Sequence, residues 1–352
     1  MNGEPIDVIA LGASTAVGRD AWSSAAAVRA GISGFTQHPY MIDTAGEPMR
    51  AAVAPWLDIG LSGIGRFEAL LFPALDQVLV PVAGGPTEPL RIALSLALPS
   101  PRPGLADNLQ SVLVKNLWKK YKQLLSALAV FPNGHAAGLL ALDAALTKLT
   151  QGALDACVVA GVDSYIEPET LEWLEENDQL HGAGPLNNAW GFIPGEGAGA
   201  LLLMRHEVSE KLRLTVLARV LGVGTAFEPK RIKTETVCIG EGLTQAFRGA
   251  LAALPDGVKV TDVYCDMNGE PYRGDEYGFT CLRTKEAFES ASDFIAPADC
   301  WGDVGAAGAP LHLMLAAISG VKGYAIGRMG FAWASAEGGE RAATLMALGR
   351  SS

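Results

Sequence analysis

Phe131-Pro132-Asn133-Gly134-His135-Ala136-Ala137-Gly138 is the stretch on which the reading of this chain turns. Pro-Asn-Gly stops whatever precedes it. The run that follows, from His135 to Leu149, is apolar almost all round, as a buried helix would be. His135 then stands at the positive end of the helix dipole, inside the protein. Gln151-Gly152 closes the helix, and Asp155-Ala-Cys-Val-Val-Ala-Gly-Val is a short apolar run between turn residues, which suits a buried strand. A tight turn leading into a buried helix is a way to present a nucleophile, and here an imidazole stands in the nucleophile's place.

Composition bounds the rest. The chain has 352 residues, 49% hydrophobic and 18% charged, enough to bury a large core and to form two domains. A net charge of -11 argues against nucleic-acid or anionic-membrane partners, since little here would release counterions from a phosphate backbone. The one basic cluster, Lys115 to Lys122, has the spacing of an amphipathic helix with a solvated face. Five cysteines, Cys157, Cys238, Cys265, Cys281 and Cys300, form no Cys-x-x-Cys pair, which predicts a reducing cytoplasm and no metal site. Met1 to Asp7 lacks the basic start and apolar core of a signal peptide, and apolar runs such as Ala198 to Met204 are too short to span a bilayer.

Strands and helices alternate along the whole length, which predicts layered α/β packing. In the first half the pattern gives strand Ile6 to Leu11, helices Asp20 to Ala30 and Gly65 to Leu79, and strand Arg91 to Ala97. Helix 135–150 and strands 155–160 and 198–204 complete it. After the charged break Arg205-His206-Glu207 come strand Leu212 to Val223, helix Gly240 to Leu254, strand Asp262 to Met267, and helices Gly274 to Ser290 and Gly305 to Ser319. Closing strands are expected near Tyr324 to Ile326, Phe331 to Ser335 and Ala342 to Leu348. The expected division is 1–205 and 206–352. No internal sequence repeat is evident.

His135-Ala-Ala-Gly-Leu, Ala160-Gly161-Val162-Asp163-Ser164 and Gly191-Phe-Ile-Pro-Gly-Glu-Gly-Ala-Gly199, in this order and spacing, resemble the β-ketoacyl-ACP synthases, condensing enzymes of the thiolase superfamily. Val8 to Gly18, Trp22 and Ala30-Gly-Ile-Ser-Gly34 are similar to that family's opening, and Val304-Gly-Ala-Ala-Gly308 and Glu337-Gly338-Gly339 to its close. The resemblance implies a thiolase-like five-layered α-β-α-β-α fold built from two similar halves. It also implies a dimer joined through the strand after the nucleophile helix, here Asp155 to Gly161. The chain is shorter than the family usually is, between Leu98 and Val130 and around Leu180 to Asn188.

The chemistry departs from the family at every catalytic position. Decarboxylating condensation needs a thiolate to carry the acyl chain and two neutral histidines to stabilise the enolate. The thiol position is His135. Asn268, in Tyr264-Cys-Asp-Met-Asn-Gly-Glu270, takes the place of one histidine, and Asp303, in Trp301-Gly-Asp-Val-Gly305, that of the other. A carboxylate, Glu337, stands where a gating ring belongs. Cys157 reads as inert strand packing, whereas Cys265 and Cys300 lie three residues before Asn268 and Asp303 and are expected to border the old site.

With Glu270 and Glu337, these positions are expected to converge on one cavity, the carboxylates pairing with Arg273, Arg328 or Arg341 as structural links. The helix N-terminus is expected to disfavour a protonated imidazole at 135. The resemblance therefore implies a degenerate relative: a noncatalytic subunit, scaffold or adaptor related to fatty acid or polyketide biosynthesis. It would form a homodimer or a heterodimer with a synthase-like or adaptor protein, take an acyl carrier protein as a further partner, and bind no cofactor. Degenerate relatives beside bacterial type VI secretion adaptors mark one such role. The alternatives are a hydrolase or acyltransferase using His135 with Asp303 or Glu337, and an active 3-oxoacyl-ACP synthase.

Overall fold

The first strand, β1 (Ile6–Thr15), is buried along all ten residues, because it is flanked on both sides and covered on both faces. The structure is a computed structural model that describes residues 6–84 and 89–349. After β1 come α1 (Ala21–Arg29), the hairpin β2 (Phe35–Ile42) and β3 (Pro48–Ala52), α2 (Gly63–Ala83), β4 (Ile92–Ala97), α3 (Leu109–Tyr121), β5 (Ala127–Phe131), α4 (Ala137–Thr150), β6 (Ala156–Ser164), α5 (Pro168–Glu176) and β7 (Glu196–Arg205). The chain continues through α6 (His206–Lys211), β8 (Ala218–Phe227), α7 (Glu241–Leu251), β9 (Asp262–Cys265), α8 (Pro271–Thr284), α9 (Ala298–Trp301), α10 (Gly308–Val321), β10 (Met329–Ser335) and β11 (Glu340–Leu348). Among the described residues no helix is long and apolar enough to cross a membrane.

The strands follow the order β5-β4-β6-β7-β1 and then β8-β11-β10-β9, with β1 and β8 joined only over Ile6 to Val8 and Ala218 to Val220. The two groups of strands thus form two stacked sheets. One core lies between the first sheet and α2 and α3, a second between the sheets around α1, α4 and α10, and a third between the second sheet and α7. These are the five layers α-β-α-β-α.

The halves repeat each other in structure. β1, β4, β6 and β7 correspond in order to β8, β9, β10 and β11, and α4 to α10. The counterpart of edge strand β5 is reduced to an isolated parallel bridge between Tyr264 and Ile295. A short 3-10 turn opens each central helix, Gly134–Ala136 before α4 and Gly305–Ala307 before α10. No sequence repeat betrays this, because the equivalence lies in backbone path and burial rather than residue identity. Gly138 lets the central helices touch: a Cβ there would lie 2.5 Å from Pro310 Cδ.

Several expectations need correction. No strand forms at Tyr324 to Ile326. Gly323 turns the chain at φ +70°, and the Ile326 and Gly327 amides donate to the Asp262 carboxylate. The strand expected from Leu212 begins at Ala218, because α6 and its exit occupy the residues before it. The helix expected over Gly274 to Ser290 instead runs Pro271–Thr284. The strand assigned to a dimer interface, β6, pairs with β4 on one side and β7 on the other, so its ladder has no free edge. An open edge is instead offered by β5, which among the described residues bonds only to β4. The basic cluster lies mostly on α3, which buries Leu109, Leu113, Leu117 and Tyr121 and exposes Lys115, Lys119 and Lys120.

Candidate functional site

The turn before α4 requires Gly134, whose φ of +60° is left-handed and whose hypothetical Cβ would meet Ser100 Oγ at 3.1 Å. His135 follows, 8% exposed. Its partner arrives from the equivalent turn of the other half. Gly302 (φ +74°) and Gly305 (φ +45°) bracket Asp303, whose backbone is pinned at both ends: Asp303 N–H donates to Ile193 O and Gly195 N–H donates to Asp303 O, each at 2.8 Å. A Cβ on Gly195 would sit 2.2 Å from Trp301 O. The glycine-rich segment 191–199 therefore serves to let two backbones meet and seat Asp303.

His135 Nε2 lies 2.9 Å from both oxygens of Asp303. Asp303 also accepts from Asn268 Nδ2 at 2.7 Å and from Gly305 N–H at 2.8 Å. Asn268 donates to Glu270 at 2.9 Å, as does Tyr272 at 2.7 Å. Arg273, fully buried, joins the set. It donates to Asp266 at 2.8 Å and to Ser335 O at 3.1 Å, lies 3.4 Å from Glu270, and its Nη2 is 3.3 Å from His135 Nε2. Lys233 closes the outer side, 3.1 Å from Glu270 and paired with Glu337.

Burial pushes the Asp303 carboxyl up, but His135, Arg273 and the Gly305 amide together hold it well below the usual carboxylate range. For His135, burial and Arg273 favour the neutral ring, and Asp303 overrides them and raises its pKa. The helix N-terminus thus does not decide the charge of this imidazole, because a carboxylate in direct contact outweighs a half-charge spread over a turn. Glu270 is likewise held low, against burial, by Arg273 and Lys233. His312, on α10, is driven by burial to about 3 and stays neutral.

The sequence candidates divide cleanly. His135, Asn268, Glu270 and Asp303 form one bonded network. Glu337 stands at its rim, reached through Lys233. Cys265 lines a small cavity of about 20 Å³ with His135, Asn268 and Asp303, room for about one water. Burial pushes its thiol well above the ordinary range. Cys300 lines no described cavity at His135. Its sulfur lies 4.0 Å from Val28 O, because the short α9 turns it away from the site. Cys157 is fully buried in β6 beside Ser95, its thiol pushed up to about 11.

Of the three arginines, Arg273 is the structural link. Arg341 pairs instead with Glu276 at 2.6 Å, and Arg328 is exposed. Arg102, Asp163 and Lys233 were missed. Arg102 bonds Asp163 and Ser164 O at 2.7 Å and stacks over Tyr165, 4.0 Å from the ring centroid. Asp163 itself falls within the Ala160-Gly-Val-Asp-Ser164 motif, whereas no local signal marks Arg102 or Lys233.

A set of metal-type donors, Glu228, Cys238 and Glu276, lies elsewhere, its ligand atoms within 4.8 Å of one another. Glu228 already accepts from Lys230 N–H and Gly242 N–H, and Glu276 from Arg341, so both carboxylates have partners within the protein.

Similarity to known proteins matches this frame. The family "Beta-ketoacyl synthase, N-terminal domain" matches residues 134–209. Polyketide synthase PksL of Bacillus subtilis (strain 168) is 37% identical over 75 residues, a stretch amounting to 20% of this chain and 2% of that protein. A chain of the AntDE:AntF assembly, a type II polyketide synthase acyl carrier protein in complex with its ketosynthase bound to the hexaketide, superposes with a TM-score of 0.82 at 14% identity, covering 98% of this chain and 99% of that one. The ketosynthase of module 6 of the bacillaene synthase of Bacillus subtilis 168 gives 0.79 at 14% identity, over 99% and 73%. The ishigamide ketosynthase/chain length factor gives 0.76 at 15%, over 98% and 99%. The chain therefore has a thiolase-type fold like that of the ketosynthases over nearly its whole length, and the family match begins at the His135 turn and runs to residue 209.

Proposed function

We propose that this chain is a noncatalytic relative of the ketosynthases, a subunit, scaffold or adaptor that keeps the fold and has lost the condensation. The observation that carries the reading is the His135–Asp303 ion pair at the nucleophile turn. A nucleophile must be free to attack, and a general base must be free to accept a proton. The Nε2 of His135 is committed to a carboxylate that favours the protonated ring, with Arg273 3.3 Å from the same nitrogen and Asn268 bonded to the same carboxylate. No cysteine stands at the turns that open the central helices α4 and α10. The matches to polyketide synthase components support a role beside such an assembly, with an acyl carrier protein among its contacts.

Assembly as a homodimer or heterodimer is part of the proposal. Its support is β5, an apolar strand at an open sheet edge directly before the His135 turn, with Ala127 and Ala129 exposed. Incubation of the full chain with acyl-carrier-protein and acyl-CoA thioesters, followed by intact-mass measurement and assay of free acid and ketone, tests the function. The expected result is neither adduct nor turnover. A covalent acyl adduct would mark an active synthase, and turnover without an adduct a hydrolase or acyltransferase built on His135.

A further inference from the structure

Two stretches of this chain carry no carboxylate at all, residues 21–42 and residues 304–336, in a protein with 38 aspartates and glutamates among 352 residues and a net charge of -11. The fold brings these stretches together. Trp22, Arg29 and their neighbours at helical spacing present one face of α1, and with Ile318, Lys322 and Tyr324 beyond it they line an open groove of about 490 Å³. The start of α10 borders His135, and the groove lies at its other end, about 15–20 Å further along the helix. No residue of the His135 network lines it.

Both cations are held in place without being neutralised. The Arg29 guanidinium sits 4.2 Å from the Tyr324 ring centroid and Lys322 Nζ 5.0 Å from that of Trp22, and neither pairs with a carboxylate among the described residues. Asp20, the nearest carboxylate in sequence, is occupied as the cap of α1, accepting from the Trp22 and Ser23 amides. Each cation also stands at a helix C-terminus, where it offsets the dipole. Carbonyls of those last turns are already met by backbone amides, from Ala30 to Ile32 in one case and from Lys322 to Ala325 in the other, so two whole positive charges outweigh two partly satisfied half-charges. The walls are apolar and open to solvent. Trp22 is 42% exposed, and Ile32 and Ile326, each two residues beyond a groove residue, are 54% and 76% exposed. Exposed apolar surface rimmed by charge marks a site of protein contact.

We infer that this groove seats an acidic segment of a partner protein, its carboxylates meeting Arg29 and Lys322 and an apolar side chain between them lying against Trp22 and Tyr324. A bilayer or a nucleic acid would present its anionic surface to a molecule of net charge -11 as a whole, whereas a short segment meets chiefly the charges within a Debye length of about 8–10 Å. The inference stands whether or not the His135 turn has lost its chemistry.

Fluorescence anisotropy of a labelled Glu-Asp-Leu-Phe-Asp-Glu peptide, against a twin in which lysine replaces every acid, tests it. The acidic peptide is expected to bind the full chain saturably and the twin at least about tenfold more weakly. Arg29→Glu combined with Lys322→Glu should weaken the acidic peptide by at least about tenfold, and Trp22→Ala by about fivefold, while thermal melts show both variants folded. No saturable binding of the acidic peptide, equal binding of the lysine twin, or unchanged binding by the double variant overturns the inference. Flotation of the wild type but not the double variant with phosphatidylglycerol vesicles would assign the groove to a bilayer and overturn it too. So would a wild-type dimer that the double variant dissociates in light scattering, which would seat a second copy of this chain there.

Discussion

Asp303→Asn strikes the ion pair with almost no change of shape. The native side chain is 4% exposed and accepts from His135, Asn268 and Gly305 at 2.9, 2.7 and 2.8 Å. The amide leaves the imidazolium buried, 3.3 Å from the Arg273 guanidinium, with its contacting anion gone. Removing one partner of a buried ion pair costs about 3–5 kcal/mol. At about 2.1 cal/mol/K of unfolding entropy per residue, a chain of 352 residues loses about 1.4 °C per kcal/mol, so Tm should fall by about 4–7 °C.

The deficit should depend on pH. His135 has a raised pKa when folded, so its contribution is complete below the ordinary imidazole value of 6.5 and is lost as pH climbs through the folded value. Asp303 has a lowered pKa, so its contribution is present above the ordinary 3.8 and is lost as pH falls through the folded value. The gap between wild type and variant should therefore be widest between about pH 4 and 6.5 and narrow as the solution is made more alkaline than that. Scanning fluorimetry of both proteins across that range gives the answer. A gap that is absent at about pH 5, or that grows as the solution becomes more alkaline, refutes the ion-pair account.

His135→Cys alone should not restore chemistry, because Asn268 and Asp303 cannot supply two neutral imidazoles; release of carbon dioxide from malonyl thioester by that variant would contradict this. Ala127→Lys combined with Ala129→Lys should place charges on the open edge of β5 and shift a dimer toward monomer in light scattering, and an unchanged mass would remove β5 from the interface. Gly138→Ala should destabilise by about 1–3 kcal/mol in denaturant melts, because its new methyl would meet Pro310 and Ala309 at 2.5 and 2.9 Å; a neutral effect would show that the central helices can slide apart.

Much of the frame is legible from residue order, for physical reasons. The runs at β1, β4, β6 and β7 are apolar on consecutive positions because both faces are covered, and α4 is apolar all round because it lies between two sheets. The β2–β3 hairpin and edge strand β5 escape notice because they are only partly buried and leave a weaker pattern. Asn268 and Asp303 can be found because glycines fix the path around them. Arg273 and Arg102 can be suspected at most: nothing local separates a buried arginine from a solvated one when its partners lie far along the chain. The expectation of an interface at Asp155 to Gly161 fails for a related reason. An apolar strand reads the same whether its neighbours come from its own chain or a second one, and only the strand order shows that β6 is interior.

The imidazole and the carboxylate it meets are supplied by stretches 168 positions apart, with the guanidinium arriving in between from α8. During synthesis the leading stack of strands emerges with that corner still wet, since its histidine has no counter-charge to dry out against until the stretch that carries Asp303 leaves the ribosome. Truncation before Asp303 should therefore yield a loosened front portion that is prone to capture by chaperones, rather than a smaller autonomous unit.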